Sequence, residues 1–175
     1  MRCLVVVLLL MVFTASSAKQ EAKNGRPSWP SELRKENDSL YWLNDWRLPY
    51  PVYRYETGDV DGDGQPEALV GVVKTTRFFN ELGHRLFIFK MVNGKARPMW
   101  MGSKLGGILV DFRIITTPPS TGAQPFSPAS VRSLELTADG QYVVAEYKWD
   151  DFGMVFQHFL VKNVDRETAL AVFNQ

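Results

Sequence analysis

Cysteine is almost missing from this chain. The single one among 175 residues is Cys3, at the front of an apolar stretch. If residues 1–18 are removed, no cysteine remains, which excludes disulfides, cysteine nucleophiles and thiolate metal sites. Net charge is missing too: twenty Lys and Arg oppose nineteen Asp and Glu, for +1, and losing Arg2 with the first 18 residues leaves zero. A broad electrostatic footprint for nucleic acid or an anionic membrane is therefore not expected. Histidine is scarce, with only His84 and His158. No Gly-x-Ser-x-Gly, His-Glu-x-x-His or phosphate-binding glycine loop occurs in the sequence, so the common nucleophile, zinc and nucleotide signatures are absent.

No apolar run is long enough to cross a bilayer, which takes roughly 20 residues. The longest, Cys3 to Phe13, follows Arg2 and leads into Thr14-Ala15-Ser16-Ser17-Ala18. This is the layout of an export signal, with Ser16 and Ala18 at the small-residue positions of a cleavage site after Ala18. The expected product is exported, secreted or periplasmic, without stable membrane insertion after cleavage; an uncleaved anchor is the competing reading. A lipoprotein cysteine would follow the apolar run, and Cys3 precedes it.

What remains has the composition of a globular protein, 45% hydrophobic and 22% charged. Residues 19–30 are polar and carry Gly25, Pro27 and Pro30, so a flexible leader outside the core is expected there. Residues 31–175 are expected to form one β-rich domain. Between Ser31 and Arg47, Leu33, Leu40, Tyr41, Leu43 and Trp46 partly fit a helical face, and Asp38 or Ser39 suits a cap. A short N-terminal helical segment is predicted on that basis.

Strand and turn signals then follow one another. Tyr53-Arg54-Tyr55, Ala68–Val73, Arg85–Val92, Ala96–Met101, Ile108–Ile115, Val131–Leu136, Tyr142–Trp149 and Met154–Val161 all have strand character. Asn93-Gly94 and Asp139-Gly140 are two-residue hairpin turns. Such turns cannot join parallel strands. The expectation is a mostly β chain of about seven to eight antiparallel strands, shaped like propeller blades or a sandwich. Residues 116–130 hold four prolines with Ser, Thr and Gly, and are expected to form a long loop. The tail from Asp165 to Phe173 suits a short helix or a terminal strand equally.

One motif carries specific chemistry. Thr57-Gly58-Asp59-Val60-Asp61-Gly62-Asp63-Gly64-Gln65-Pro66-Glu67 places acids at positions 1, 3, 5 and 9 counted from Asp59. A hard cation such as Ca²⁺ takes six to eight oxygens, and this spacing wraps side-chain and backbone oxygens about one point. Gly64 permits the sharp turn, and Gln65 would add its carbonyl oxygen from position 7. An EF-hand would need a bidentate Glu at position 12, where Val70 stands. Its flanks would be helices, whereas these read as strands. The predicted ligands are Asp59, Asp61, Asp63, Gln65 and Glu67. The alternative is an acidic solvent turn that binds nothing, although three acids within five residues repel one another without a cation.

On these residues the sequence resembles the FG-GAP repeats of integrin-type β-propellers and the related VCBS repeats of secreted bacterial proteins. Gly58, Asp59, Asp61, Asp63, Gly64 and Glu67 match the calcium-loop pattern, and Ala68–Val72 is similar to the strand that follows it. Glu67 stands where the family more often has Asp. The likeness implies a calcium-binding module that contacts a protein or a carbohydrate without catalysing a reaction. The motif does not repeat, and a propeller needs about four or more blades of roughly 40–50 residues each. Closure of a monomeric propeller is therefore not expected.

A second class of function stays open. Asp150-Asp151 after Trp149 offers paired carboxylates for a small secreted glycoside hydrolase, with aromatics lining a cleft. Against it, such acids must face each other across a set gap, and strand-end neighbours diverge. Trp29, Tyr41, Trp42, Trp46, Tyr50, Tyr53 and Tyr55 suit sugar stacking, but covering a sheet face is the preferred reading. His158 alternates with Phe156 and Leu160, as a sheet-face residue rather than a ligand would.

Overall fold

A computed structural model describes residues 28–30, 32–102, 105–116 and 128–175. The expected export signal, most of the leader and most of the 116–130 loop lie outside the described residues.

The described chain is mostly β, in three antiparallel sheets followed by one short helix. The first sheet holds β1 (Arg34–Asn37), β2 (Leu40–Leu43) and β3 (Trp46–Leu48). The second is a meander of β4 (Val52–Gly58), β5 (Glu67–Thr76), β6 (Phe79–Val92) and β7 (Lys95–Met101). The third repeats that order with β8 (Ile108–Ile115), β9 (Ser130–Leu136), β10 (Tyr142–Asp150) and β11 (Gly153–Val164). Helix α1 (Arg166–Phe173) closes the chain. Each neighbouring pair within a sheet is consecutive in sequence, most of them joined by short turns that allow only antiparallel pairing, with longer connections between β4 and β5 and between β8 and β9.

Alternation along the strands builds the layers. Successive strand residues point to opposite faces. On β5 and β6, Ala68, Val70, Val72, Phe87 and Phe89 pack with Leu43, Leu48 and Trp29 beneath the first sheet. Leu69, Leu86 and Ile88 turn the other way and meet Leu109, Phe112, Val131, Val143 and Tyr147 of the third sheet. The outer face of the third sheet gives Leu134 and Val144 to Ala169 and Phe173 of α1. The core thus lies in three seams, and burial of each large apolar side chain contributes roughly 1.5–3 kcal/mol. Coverage is uneven: on β11, Phe156 is 43% and Phe159 48% exposed, and the adjoining Phe152 is 91% exposed.

The structure corrects three expectations. The predicted helix between Ser31 and Arg47 is instead the β1–β2–β3 meander. Asp38-Ser39 and Asn44-Asp45 are its two turns. Asn37 Oδ1 accepts the Ser39 N–H at 3.0 Å, and Asn44 takes the left-handed φ of 54°, which Asn tolerates at a tight turn. Strands of three or four residues are too short to show a period, so the scattered aromatics mimicked a helical face. The strand count consequently rises above the expected seven to eight, by these three strands. The leader is not wholly outside the core either. Trp29 is 8% exposed, its Nε1–H donates to the Pro66 carbonyl at 2.7 Å, and the Tyr55 hydroxyl donates to the Pro30 carbonyl at 2.8 Å.

The undecided tail is a helix. Asp165 caps it by accepting the Thr168 N–H at 2.8 Å. Six of the seven aromatics behave as sheet cover: Trp29, Tyr41, Trp46, Tyr50 and Tyr55 join the seam under the first sheet, and Tyr53 joins the seam between the two meanders, whereas Trp42 joins neither and donates its Nε1–H to Glu36 at 2.8 Å.

Candidate metal centre

The acidic motif forms the β4–β5 connection, where the second sheet turns beside the third. Gly62 and Gly64 both adopt φ of +80°, a conformation that costs other residues about 1 kcal/mol or more. This curl lets Asp59 reach back over the loop, its Oδ1 accepting the Gly62 N–H at 2.7 Å and its Oδ2 the Gly64 N–H at 2.9 Å. Asp61 and Asp63 each accept the N–H two residues on, at 3.1 and 2.8 Å. The loop is anchored from the third sheet's side by the Ala129 N–H, which donates to the Asp59 carbonyl at 2.7 Å.

Glu67 occupies an unusual position. It opens β5 on the same face as Leu69, the face turned to the third sheet, and is fully buried. Its Oε2 accepts the Val60 N–H at 3.0 Å and the Asp61 N–H at 3.4 Å. Its Oε1 is buried with no hydrogen-bond partner. Burial pushes this carboxyl up to about 7, helped by the nearby Asp61 charge. An unpaired buried carboxylate oxygen is costly unless something cationic meets it.

Asp59, Asp61 and Glu67 each bring one oxygen into a group lying within 4.8 Å of one another. Two oxygens that share an ion at about 2.4 Å can be no more than about 4.8 Å apart, so these three can hold one metal ion. Asp63, also predicted as a ligand, is not part of that group of carboxylates, and Gln65 follows it in the loop with its N–H donating to Asp63 Oδ1 at 2.8 Å. Asp63 instead turns its Oδ2 to Lys90.

Lys90 was not among the predicted site residues. The β5–β6 register pairs Ala68 with Phe89, so Lys90 stands opposite Glu67 and points to the same face. Its Nζ lies 2.6 Å from Asp61 Oδ2 and 2.6 Å from Asp63 Oδ2. These hydrogen bonds hold Lys90 above the usual lysine range and Asp63 below the usual carboxylate range. The acids that would repel one another are thus bridged by an ammonium from the neighbouring strand.

The other sequence candidates lie elsewhere. Asp150 ends β10 and Asp151 is a turn residue with φ of 41°. Both are exposed. A cavity of about 400 Å³ at the β5–β6 hairpin is lined by residues including Phe78, Leu82, His84, Arg85 and Leu105, and a second by Trp29, Trp42 and Met91 among others. Neither includes Asp150, Asp151 or the acidic loop. His84 stacks on Tyr53 with ring centroids 3.9 Å apart, and its Nδ1 lies 2.6 Å from the Val110 carbonyl oxygen. His158 is an exposed residue of β11. Neither histidine belongs to the acidic group.

Among the described residues, no helix is long and apolar enough to cross a membrane. Comparison with protein-family models, with curated proteins and with solved structures found no match.

Proposed function

We propose that this chain is an exported, non-enzymatic binding module of FG-GAP/VCBS-like character whose β4–β5 loop holds one Ca²⁺. The observation that carries the metal reading is Glu67: a fully buried carboxylate with one oxygen unpartnered, beside Asp59 and Asp61. Asp59, Asp61 and Glu67 would form the inner set, with Asp63 and the Gln65 carbonyl reaching it directly or through water. Calcium is favoured over softer ions because every donor is oxygen. Bound there, the ion supplies charge neutralisation and a cross-link between the loop and the start of β5.

The binding reading is favoured over a hydrolase because Asp150 and Asp151 sit exposed at a hairpin turn and line neither cavity. A protein partner is favoured over a glycan by the apolar side chains that β11 leaves exposed, Phe156 and Phe159 among them.

The test is thermal melting of the protein in chelator and in millimolar calcium. An extracellular-type site has Kd near 10⁻⁴ to 10⁻³ M, and calcium a hundredfold above Kd adds about 2.7 kcal/mol. Asp61→Ala is expected to remove the rise in Tm while keeping the β-rich circular dichroism spectrum. A wild-type Tm that is the same in chelator and in roughly 10 mM calcium rejects the site and leaves an acidic turn bridged by lysine.

A further inference from the structure

Resting on the calcium reading of this loop, we propose that Lys90 is a tethered resident cation, and that metal binding is an exchange in which its ammonium leaves Asp61 and Asp63. Four carboxylates, Asp59, Asp61, Asp63 and Glu67, converge on one turn, and Lys90 Nζ meets two of them at 2.6 Å each. It does not meet Glu67, whose Oε1 has no hydrogen-bond partner. The lysine therefore quiets the outer side of the loop and leaves the inner side short of positive charge.

Asp61 belongs to both sets. It pairs with Lys90 and it completes the three-oxygen group with Asp59 and Glu67. A divalent ion and an ammonium sharing one carboxylate would sit within several ångströms of each other and repel. The ion carries the larger charge and binds carboxylate oxygens directly, so the ammonium is the group that moves. It can do so: the Lys90 side chain is 29% exposed, and its flexible four-carbon stem lets the charged end turn to water while the stem stays packed. Lys90 would set the affinity of the site by competition, and would hold the loop closed when calcium is scarce.

The experiment follows the amine itself. The full-length protein is treated with N-hydroxysuccinimide acetate in chelator and in roughly 10 mM calcium, and acetylation of each lysine is read by peptide mass spectrometry. Calcium affinity of wild type and Lys90→Met is measured in parallel by calorimetry. Acetylation of Lys90 is expected to rise several-fold with calcium while the other lysines stay constant. Lys90→Met is expected to bind calcium roughly 2- to 30-fold more tightly, the range for losing two partly exposed ion pairs. If calorimetry detects calcium but Lys90 acetylation stays constant, the exchange is overturned and the metal site stands. Should Lys90→Met bind calcium where wild type does not, the exchange stands and the wild-type calcium reading falls. If neither binds, both fall. The acetylation arm needs no variant, so a poorly folded Lys90→Met still leaves the exchange decidable.

Discussion

Two glutamates are buried between the meanders, and they have opposite surroundings. Glu135, 2% exposed on β9, is fully engaged. Its Oε1 accepts the Ser133 hydroxyl at 2.6 Å and the Tyr147 hydroxyl at 2.8 Å, and its Oε2 accepts the Gly107 N–H. Glu67 has two backbone donors on one oxygen and none on the other. A buried carboxylate with donors on both oxygens is a structural clamp, here tying the 105–107 segment to the third sheet. One with an unmet oxygen beside two more acids has a place where a cation could be held, which is the reading proposed above. Both are buried, and what separates them is whether the buried oxygens are met by donors.

The comparison can be broken most severely at Glu135. Glu135→Ala leaves the Tyr147 hydroxyl, the Ser133 hydroxyl and the Gly107 N–H without their acceptor, and is expected to cost on the order of 3 kcal/mol or more in denaturant unfolding. A loss below about 1 kcal/mol would mean that water replaces the carboxylate and that the clamp reading is wrong.

Trp29 tests whether the Glu67 end is braced from outside. Its indole is buried and bonds the Pro66 carbonyl, one residue before Glu67. Trp29→Ala is expected to cost about 3 kcal/mol and to weaken calcium binding. Chemical denaturation with and without calcium measures both, and equal calcium affinity in the variant would uncouple the brace from the site.

The pH response sharpens the contrast. Glu67 has its carboxyl raised from 4.5 to about 7 in the folded chain by burial, then by the Asp61 charge. A folded pKa above the unfolded one means that the folded state binds the proton more tightly. The stabilisation is fully present below about pH 4.5 and is lost as pH rises through about 7. In chelator, Tm is therefore expected to fall between those values, and Glu67→Gln to remove that part of the slope. A wild-type slope that Glu67→Gln leaves intact would assign the dependence to other groups.

The smallest expected effect is the stability of Glu67→Gln itself at neutral pH in chelator. The amide keeps the shape and removes a buried charge, so the change is expected within about 1 kcal/mol in either direction. Calcium should no longer raise Tm in this variant. A large destabilisation without metal would give Glu67 the same structural role as Glu135.

Much of the second and third sheets was legible because their strands carry strong local signals. β5 is continuous apolar chain after a turn, and Asn93-Gly94 and Asp139-Gly140 mark hairpin connections at which both glycines have positive φ, the first the expected two-residue turn and the second a five-residue loop over 137–141 rather than the expected two. The acid spacing from Asp59 to Glu67 was equally local. The first sheet was not legible, since β1 to β3 are three or four residues long and gain their stability from packing on Phe87 and Phe89. Lys90 carries no local signal of its role, because its partners follow from the β5–β6 register. That hairpin turns at Arg77-Phe78 without a glycine or asparagine to mark it, and contains a bulge between Lys74 and Thr76.

By itself, the sequence determined the antiparallel β character and the presence of an oxygen-rich acidic turn, because strand alternation, turn glycines and alternate acids are properties of a few adjacent residues. The tertiary structure decided which of those acids converge. Glu67 is buried because its face of β5 meets a sheet whose strands begin some forty residues later. Asp63 lies outside the group and Asp61 within it, while Lys90, on another strand, pairs with both. Burial and charge pairing depend on what comes near from far along the chain, and that is settled only when the sheets pack.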